Sequence, residues 1–308
     1  MSRCSAPGKM ILFGEHAVVF GKPALALAID MRISSTVSLS HEFSVNGRPM
    51  KKRHHGYISA ALDEAWGGPP INLDTSSQIP SGYGLGSSAA VTVSCVAAMM
   101  MEEGKLDPEK VARKAFEAER KVQGRASPTD TSTSTHGNGV IVSPERMDGL
   151  LWRIELDERV WNIHHCEVPP LKFVVGYTGI HAVTGPLVAK VMKLVDTDEE
   201  AKHVVDRIGE IVLEGVEAIK ARDKNRLGKL MYENHGLLNR LGVGHPALDK
   251  LVDACKGTSY GAKLTGSGGG GCMIALTDDP EAVAKALLDA GGEPIIVEVG
   301  CEGVRPEK

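Results

Sequence analysis

Pro80-Ser-Gly-Tyr-Gly-Leu-Gly-Ser-Ser-Ala-Ala90 is the stretch on which the reading of this chain turns. Glycines at 82, 84 and 86 precede an apolar run, and Ser87 and Ser88 fall where a helix would take its first turn. A helix start leaves backbone N–H groups free and carries the positive end of the helix dipole, so the stretch predicts an anion-binding loop that opens a helix. A tight turn ending in a capping serine would share the pattern. No Gly-Lys-Ser/Thr follows, so this is not a Walker A loop, and a phosphate site here needs its lysine and its cation ligands from elsewhere.

Downstream of the loop, Ala89 to Met101 is apolar except for residues such as Thr92 and Ser94. It is shorter than the ~20 residues of a membrane-spanning helix and reads as a buried one. Asp107-Pro108 is an N-cap followed by a first-turn proline, predicting a second helix that carries Val111, Ala115, Phe116, Ala118 and Val122 and stops at Gly124. Upstream, strands are expected at Met10–Phe13, Ala17–Phe20 and, after a Gly21-Lys22-Pro23 turn, Arg32–Leu39. A helix at Tyr57–Trp66 and a strand with Ile71 and Leu73 lead into the loop. After a Ser/Thr-rich stretch come strands at Val140–Val142 and Leu151–Leu156, and Pro169-Pro170 marks a boundary between domains 1–170 and 171–308. The second half reads as a strand at Phe173–Gly176, helices at Thr184–Val195, Glu199–Ala221 and Arg226–Leu241, a glycine-rich segment and a final αβ pair. Strands and helices without a regular βαβ period define an α+β protein.

Composition narrows the function. With 42% hydrophobic and 24% charged residues the chain is ordinary for a soluble globular protein, and a net charge of −4 gives no electrostatic reason to expect nucleic acid. Lys9 and Glu15 interrupt the N-terminal apolar stretch, which is wrong for a secretory signal, so a cytoplasmic location is expected, with no membrane partner. Six cysteines without a C-x-x-C pair fit free thiols in a reducing compartment. His164, His165 and Cys166 are adjacent on an expected strand, whose side chains alternate between faces, so they do not converge on one metal. Lys51-Lys-Arg-His-His55 reads as a solvated loop first, and as a rim that attracts an acidic substrate second. Apolar helix residues are too scattered to define an interface, which leaves a homodimer as an open expectation.

Three further segments carry chemical groups. Ser5-Ala-Pro-Gly-Lys-Met-Ile-Leu-Phe-Gly-Glu-His16 places Lys9, Glu15 and His16 on a short strand and turn. Ala118-Glu-Arg-Lys-Val-Gln-Gly-Arg-Ala-Ser-Pro-Thr-Asp130 supplies two carboxylates, Glu119 and Asp130. Phosphoryl transfer needs a Mg²⁺ ligand, a group for the attacking hydroxyl and positive charge near the γ-phosphate, and these residues are of the right types. An intrahelical ion pair for Glu119 and a turn cap for Asp130 are the structural alternatives. Gly261-Ala-Lys-Leu-Thr-Gly-Ser-Gly-Gly-Gly-Gly-Cys-Met273 is too glycine-rich to order cheaply unless its backbone approaches a ligand or another segment closely.

Taken in order, the lysine segment, the Gly-Leu-Gly-Ser-Ser-Ala loop, the Ser-Pro-Thr-Asp segment and the last glycine run resemble the motifs of the GHMP kinases. Gly14-Glu-His-Ala-Val-Val-Phe-Gly-Lys-Pro-Ala24 resembles the mevalonate kinase branch rather than homoserine kinases or the phosphomevalonate enzymes. Ala126-Ser-Pro-Thr-Asp130 resembles its archaeal form, where the common non-archaeal form has Ser-Gly-Val-Asp. The resemblance implies an N-terminal domain like the second domain of ribosomal protein S5, a ferredoxin-like C-terminal domain, and an active site between them. It implies ATP as co-substrate with Mg²⁺, and mevalonate as the alcohol. Pro80, Gly82, Gly84, Leu85, Gly86, Ser87, Ser88, Ala89 and Ala90 are then expected to hold the nucleotide, and Ser88 and Glu119 the metal. Asp130 would face the substrate hydroxyl and Lys9 would polarise it or stabilise the moving phosphoryl group. Glu15, His16 and Thr184 are expected to contact mevalonate, with Thr178 close enough in sequence to compete for the last role.

Overall fold

The computed structural model describes residues 1–104, 106–124, 127–156, 159–182 and 184–308, without the side chain of Thr184. Strands β1 (Ser2–Phe13) and β2 (Ala24–Leu39) pair antiparallel along nearly all of β1, with bulges between Pro7 and Lys9 and between Ile11 and Phe13. The link between them was expected to hold a strand at Ala17–Phe20, but those residues form a 3₁₀ turn. The chain must reverse within a few residues between two paired strands, and His16 (φ 61°) and Gly21 (φ 76°) bracket that reversal in the left-handed region. Tertiary demand overrides the strand propensity of Val18, Val19 and Phe20 here.

Short strands β3 (Ser44–Val45) and β4 (Arg48–Pro49) precede helix α1 (Gly56–Ala65) and strand β5 (Ile71–Ser77). Helices α2 (Ser87–Glu102), α3 (Pro108–Gln123) and α4 (Thr129–His136) follow, then β6 (Gly139–Ser143), β7 (Leu150–Leu156) and β8 (Arg159–Cys166). The α3 ends are as expected: the Asp107 side chain accepts from the Lys110 N–H, and Gly124 is the C-cap. These strands order as β4-β3-β5-β2-β6-β8-β7, with β1 paired to β2. Helix α4 is an addition, because its Thr/Ser sequence carries no helical apolar pattern. Its threonines are buried, and Thr133 and Thr135 return their hydroxyls to the carbonyls of Thr129 and Thr131 (both 2.7 Å), so burial leaves those two satisfied.

A second sheet collects β9 (Lys172–Tyr177), β10 (Gly261–Thr265), β11 (Cys272–Thr277) and β12 (Glu293–Glu298) in the order β10-β11-β9-β12, all antiparallel. That is the strand order of a ferredoxin-like unit, as the family resemblance implied. Between β9 and β10 run α5 (Thr184–Thr197), α6 (Glu199–Lys220), α7 (Lys224–Arg240) and α8 (Pro246–Ala254), and α9 (Pro280–Asp289) precedes β12. The α+β class and its two sheets stand.

The division at residue 170 meets one exception. Beyond β12 the chain leaves the second sheet: Val299 bridges Ile29, Glu302 bridges Gly137, and β13 (Arg305–Pro306) pairs with β1. The expected unit 171–308 therefore does not keep its own end. One hydrophobic cluster also runs through both halves, from Phe13 and Leu27 to Phe173 and Ile274, with α6 packed on β1 and β2, α7 on β10, and Gly215 against the Phe13 ring. Among the described residues no helix is long and apolar enough to cross a membrane.

Candidate active site

Strand β1 brings Lys9 beneath the glycine loop. The Lys9 backbone N–H donates to the Leu85 carbonyl (3.0 Å), and its ammonium donates to the Gly84 carbonyl (3.3 Å). Gly86 has φ 76°, and a Cβ there would lie 2.8 Å from Lys9 Cγ, so glycine lets the loop rest directly on the lysine. The ammonium also pairs with Asp130 Oδ2 at 3.1 Å, with the Lys9 side chain 5% and the Asp130 side chain 30% exposed. Asp130 sits in the first turn of α4 and Ser87 begins α2. Two helix N-termini and one ammonium thus converge, which is an anion-binding arrangement with a carboxylate at its edge.

At the start of α2 the free N–H groups belong to the first turn. The Ala90 N–H is already bonded to the Gly86 carbonyl (2.9 Å), so Ala90 has no backbone donor left for a phosphate. Ala89 and Ala90 bury their methyl groups in the core. At the loop's other end Tyr83 stacks on Tyr177 (4.1 Å between rings) and its hydroxyl donates to Glu293 Oε2 (2.5 Å), so the loop also touches the second sheet.

Glu119 is buried near the end of α3. It accepts from Ser88 Oγ (3.4 Å) and Gln123 Nε2 (3.0 Å). Burial, and then the neighbouring charge of Asp130, push its carboxyl up to about 8, while Lys9 opposes the shift. Two carboxylates and a hydroxyl around a single lysine leave a surplus of hard oxygen donors, the set that suits Mg²⁺.

Glu15 and His16 face the seam between the halves. Glu15 pairs with Lys263 of β10, and both side chains are fully buried. Its Oε2 has no partner among the described residues, and neither has the buried Nδ1 of His16. His16 Nε2 meets the Ser267 carbonyl (3.0 Å), and Thr265 Oγ1 donates to the Ile11 carbonyl (2.9 Å), fastening the last glycine loop to β1. Burial holds the His16 ring below its ordinary pKa.

The contacts thus bring Lys9, Gly84, Leu85, Gly86, Ser88, Glu119 and Asp130 together, with Glu15 and His16 beside them. Thr184 opens α5, but its side chain lies outside the described part, as does Ala126 of the segment quoted above. Thr178 is engaged locally, donating to the Gly271 carbonyl (2.9 Å). Gln123 and Lys263 were not foreseen: the first had a signal in its spacing of four from Glu119 on one helix, the second in being a lone charge within an apolar strand.

Comparison with known proteins gives the family. Residues 54–138 match the GHMP kinases N-terminal domain and residues 216–292 the GHMP kinases C-terminal domain. The chain belongs to the GHMP kinase family. Among curated relatives, the mevalonate kinase of Thermococcus sibiricus is 37% identical, with 98% of this chain and 97% of the relative aligned. That of Archaeoglobus fulgidus is 34% identical over 96% of this chain and 99% of the relative. The crystal structure of L. major mevalonate kinase in complex with R-mevalonate superposes with a TM-score of 0.83 at 25% identity, covering 98% of this chain and 97% of that one. The Methanococcus jannaschii mevalonate kinase superposes with a TM-score of 0.75 at 27% identity, covering 99% and 98%.

Proposed function

We propose that this chain phosphorylates the 5-hydroxyl of mevalonate with ATP, giving 5-phosphomevalonate and ADP for isoprenoid precursor synthesis. The observation that carries the reading is the Lys9–Asp130 pair held between the first turns of α2 and α4. The full-length similarity to mevalonate kinases selects the alcohol.

The free N–H groups at the start of α2 and the loop 80–86 face the nucleotide phosphates, and Ser88 with Glu119 would hold Mg²⁺. That ion, when bound, offsets the charge of the phosphate oxygens. Glu15 and His16 line the acceptor alcohol. Asp130 accepts the hydroxyl proton as the mevalonate oxygen bonds to the γ-phosphorus and the β–γ bridging P–O bond breaks, with ADP leaving. In a loose transition state that proton is transferred late, so little basicity is required of its acceptor. Lys9 stabilises the phosphoryl group in transit and holds the Asp130 carboxylate beside it at 3.1 Å. A cytoplasmic location fits this role and the free, mostly buried cysteines.

The test is product identification. Purified protein incubated with R-mevalonate and Mg·ATP should yield 5-phosphomevalonate by mass spectrometry and phosphorus NMR. No product, or higher kcat/KM on homoserine or galactose, would overturn the reading.

A further inference from the structure

Strand β10 buries a lysine. Lys263 lies between Ala262 and Leu264 with no exposed surface, although an ammonium is costly to bury unless paired and hydrogen-bonded. Its ammonium donates to Glu15 Oε1 and to the Leu264 carbonyl (2.6 Å). The carboxylate comes from the other half of the molecule, 248 positions away in sequence.

A strut between two halves would be expected to use both carboxylate oxygens. Here only Oε1 is held, and Oε2 stays buried without a partner among the described residues, next in sequence to His16 with its own unpartnered Nδ1. A buried acceptor left unsatisfied is costly, and the cost is offset when a ligand hydroxyl supplies the hydrogen. Burial raises the Glu15 carboxyl and lowers the Lys263 ammonium, and each one's charge opposes the other's shift. Without Lys263 the Glu15 carboxyl would be driven toward its neutral form.

We infer that Lys263 is a positioning residue for the acceptor alcohol: it fixes the rotamer and the charge of Glu15 so that Oε2 receives a hydroxyl hydrogen of mevalonate. The inference rests on the reading of Glu15 as an acceptor-site residue. Two consequences follow from the chemistry. The anionic end of mevalonate points away from Glu15, and the acceptor site is complete only when β10 is seated against β1, where Thr265 also bonds the Ile11 carbonyl.

The experiment is steady-state kinetics on the full chain, with mevalonate and ATP varied separately and thermal unfolding in parallel. Lys263→Met should raise KM for mevalonate at least ~10-fold, the scale of one charge-assisted hydrogen bond, and leave KM for ATP within ~3-fold. Lys263→Arg, which keeps the charge, should recover part of that loss. The double variant Glu15→Gln/Lys263→Met removes both buried charges, so it should regain thermal stability lost in Lys263→Met. Its KM for mevalonate should be no higher than that of Glu15→Gln alone, because the lysine acts through the glutamate. The inference is overturned if Lys263→Met binds mevalonate normally, if both KM values rise together, or if the double variant multiplies the single effects. An unchanged mevalonate KM in Glu15→Gln would instead remove the acceptor-site reading itself. Should Lys263→Met fail to fold, Lys263→Arg and the double variant carry the same comparison.

Discussion

Asp130→Asn tests the catalytic reading with the least disturbance of the fold. Asparagine keeps the size and shape of the side chain and remains acceptable in the first turn of α4. The structural costs are the lost interaction of a carboxylate with the helix N-terminus, ~0.3–1 kcal/mol, and the lost ion pair with Lys9, whose mostly buried ammonium keeps the Gly84 carbonyl. Removing a positioned proton acceptor costs ~10²–10⁴-fold in rate. The 30% exposure of the side chain argues for the lower part of that range, since water reaches the group and can take the proton in its place. The expected loss in kcat is ~10²–10³-fold, or about 2.7–4 kcal/mol in the barrier. Nucleotide binding should hold or improve, because a negative charge next to the phosphate site is gone. Single-turnover chemical quench with saturating mevalonate and ATP isolates the transfer step, and steady-state runs give the two KM values. A variant that folds normally and transfers phosphoryl within ~10-fold of the parent rate refutes the assignment of Asp130 as proton acceptor.

Lys9→Met should lower kcat by at least ~100-fold, the scale for losing a charge aimed at the transition state, while thermal unfolding confirms that the protein is folded. Glu119→Gln should stabilise the ligand-free protein at pH 8.5 and barely change it at pH 4.5. With a folded pKa near 8, above the unfolded value, the native carboxyl loses stability as pH rises through the interval between them, and a permanently neutral glutamine does not. The ceiling is about 5 kcal/mol from the size of the shift, urea unfolding at the two pH values reads it, and equal curves would refute it. Gly228→Ala should destabilise by ~3 kcal/mol or more, because the new Cβ would lie 2.0 Å from the Tyr260 carbonyl oxygen, a backbone atom that no rotamer change can move. A loss under ~1 kcal/mol in urea would show that α7 and β10 can separate cheaply.

Features set by neighbours in sequence were legible. The glycine loop and the α2 start, the Asp107 cap with Pro108 and the stop at Gly124 each depend on local backbone chemistry, and the structure has them. Helix α4 was not legible, because threonine and serine are poor helix formers and it is burial against β1, β2 and β6 that holds them. Val18 and Val19 suggested a strand, but a reversal between β1 and β2 leaves no edge for one. Lys9, Glu119 and Asp130 could be named as groups, while their convergence depends on how β1, α3 and α4 cross. Lys263 went unnoticed because its partner lies in the other half of the chain, and no local pattern reports such a contact.

The return of the chain end to the first sheet bears on synthesis. A nascent chain emerges N-terminus first and folds its early units first. Strands β1 to β8 are available once Cys166 has left the ribosome, yet the second neighbour of β1 at Cys4 and Ser5, on the edge away from β2, is made only with Arg305 and Pro306. Until then that stretch of β1 is an open edge able to pair with another chain. Translation that stalls in the second half would therefore leave that edge of β1 uncovered.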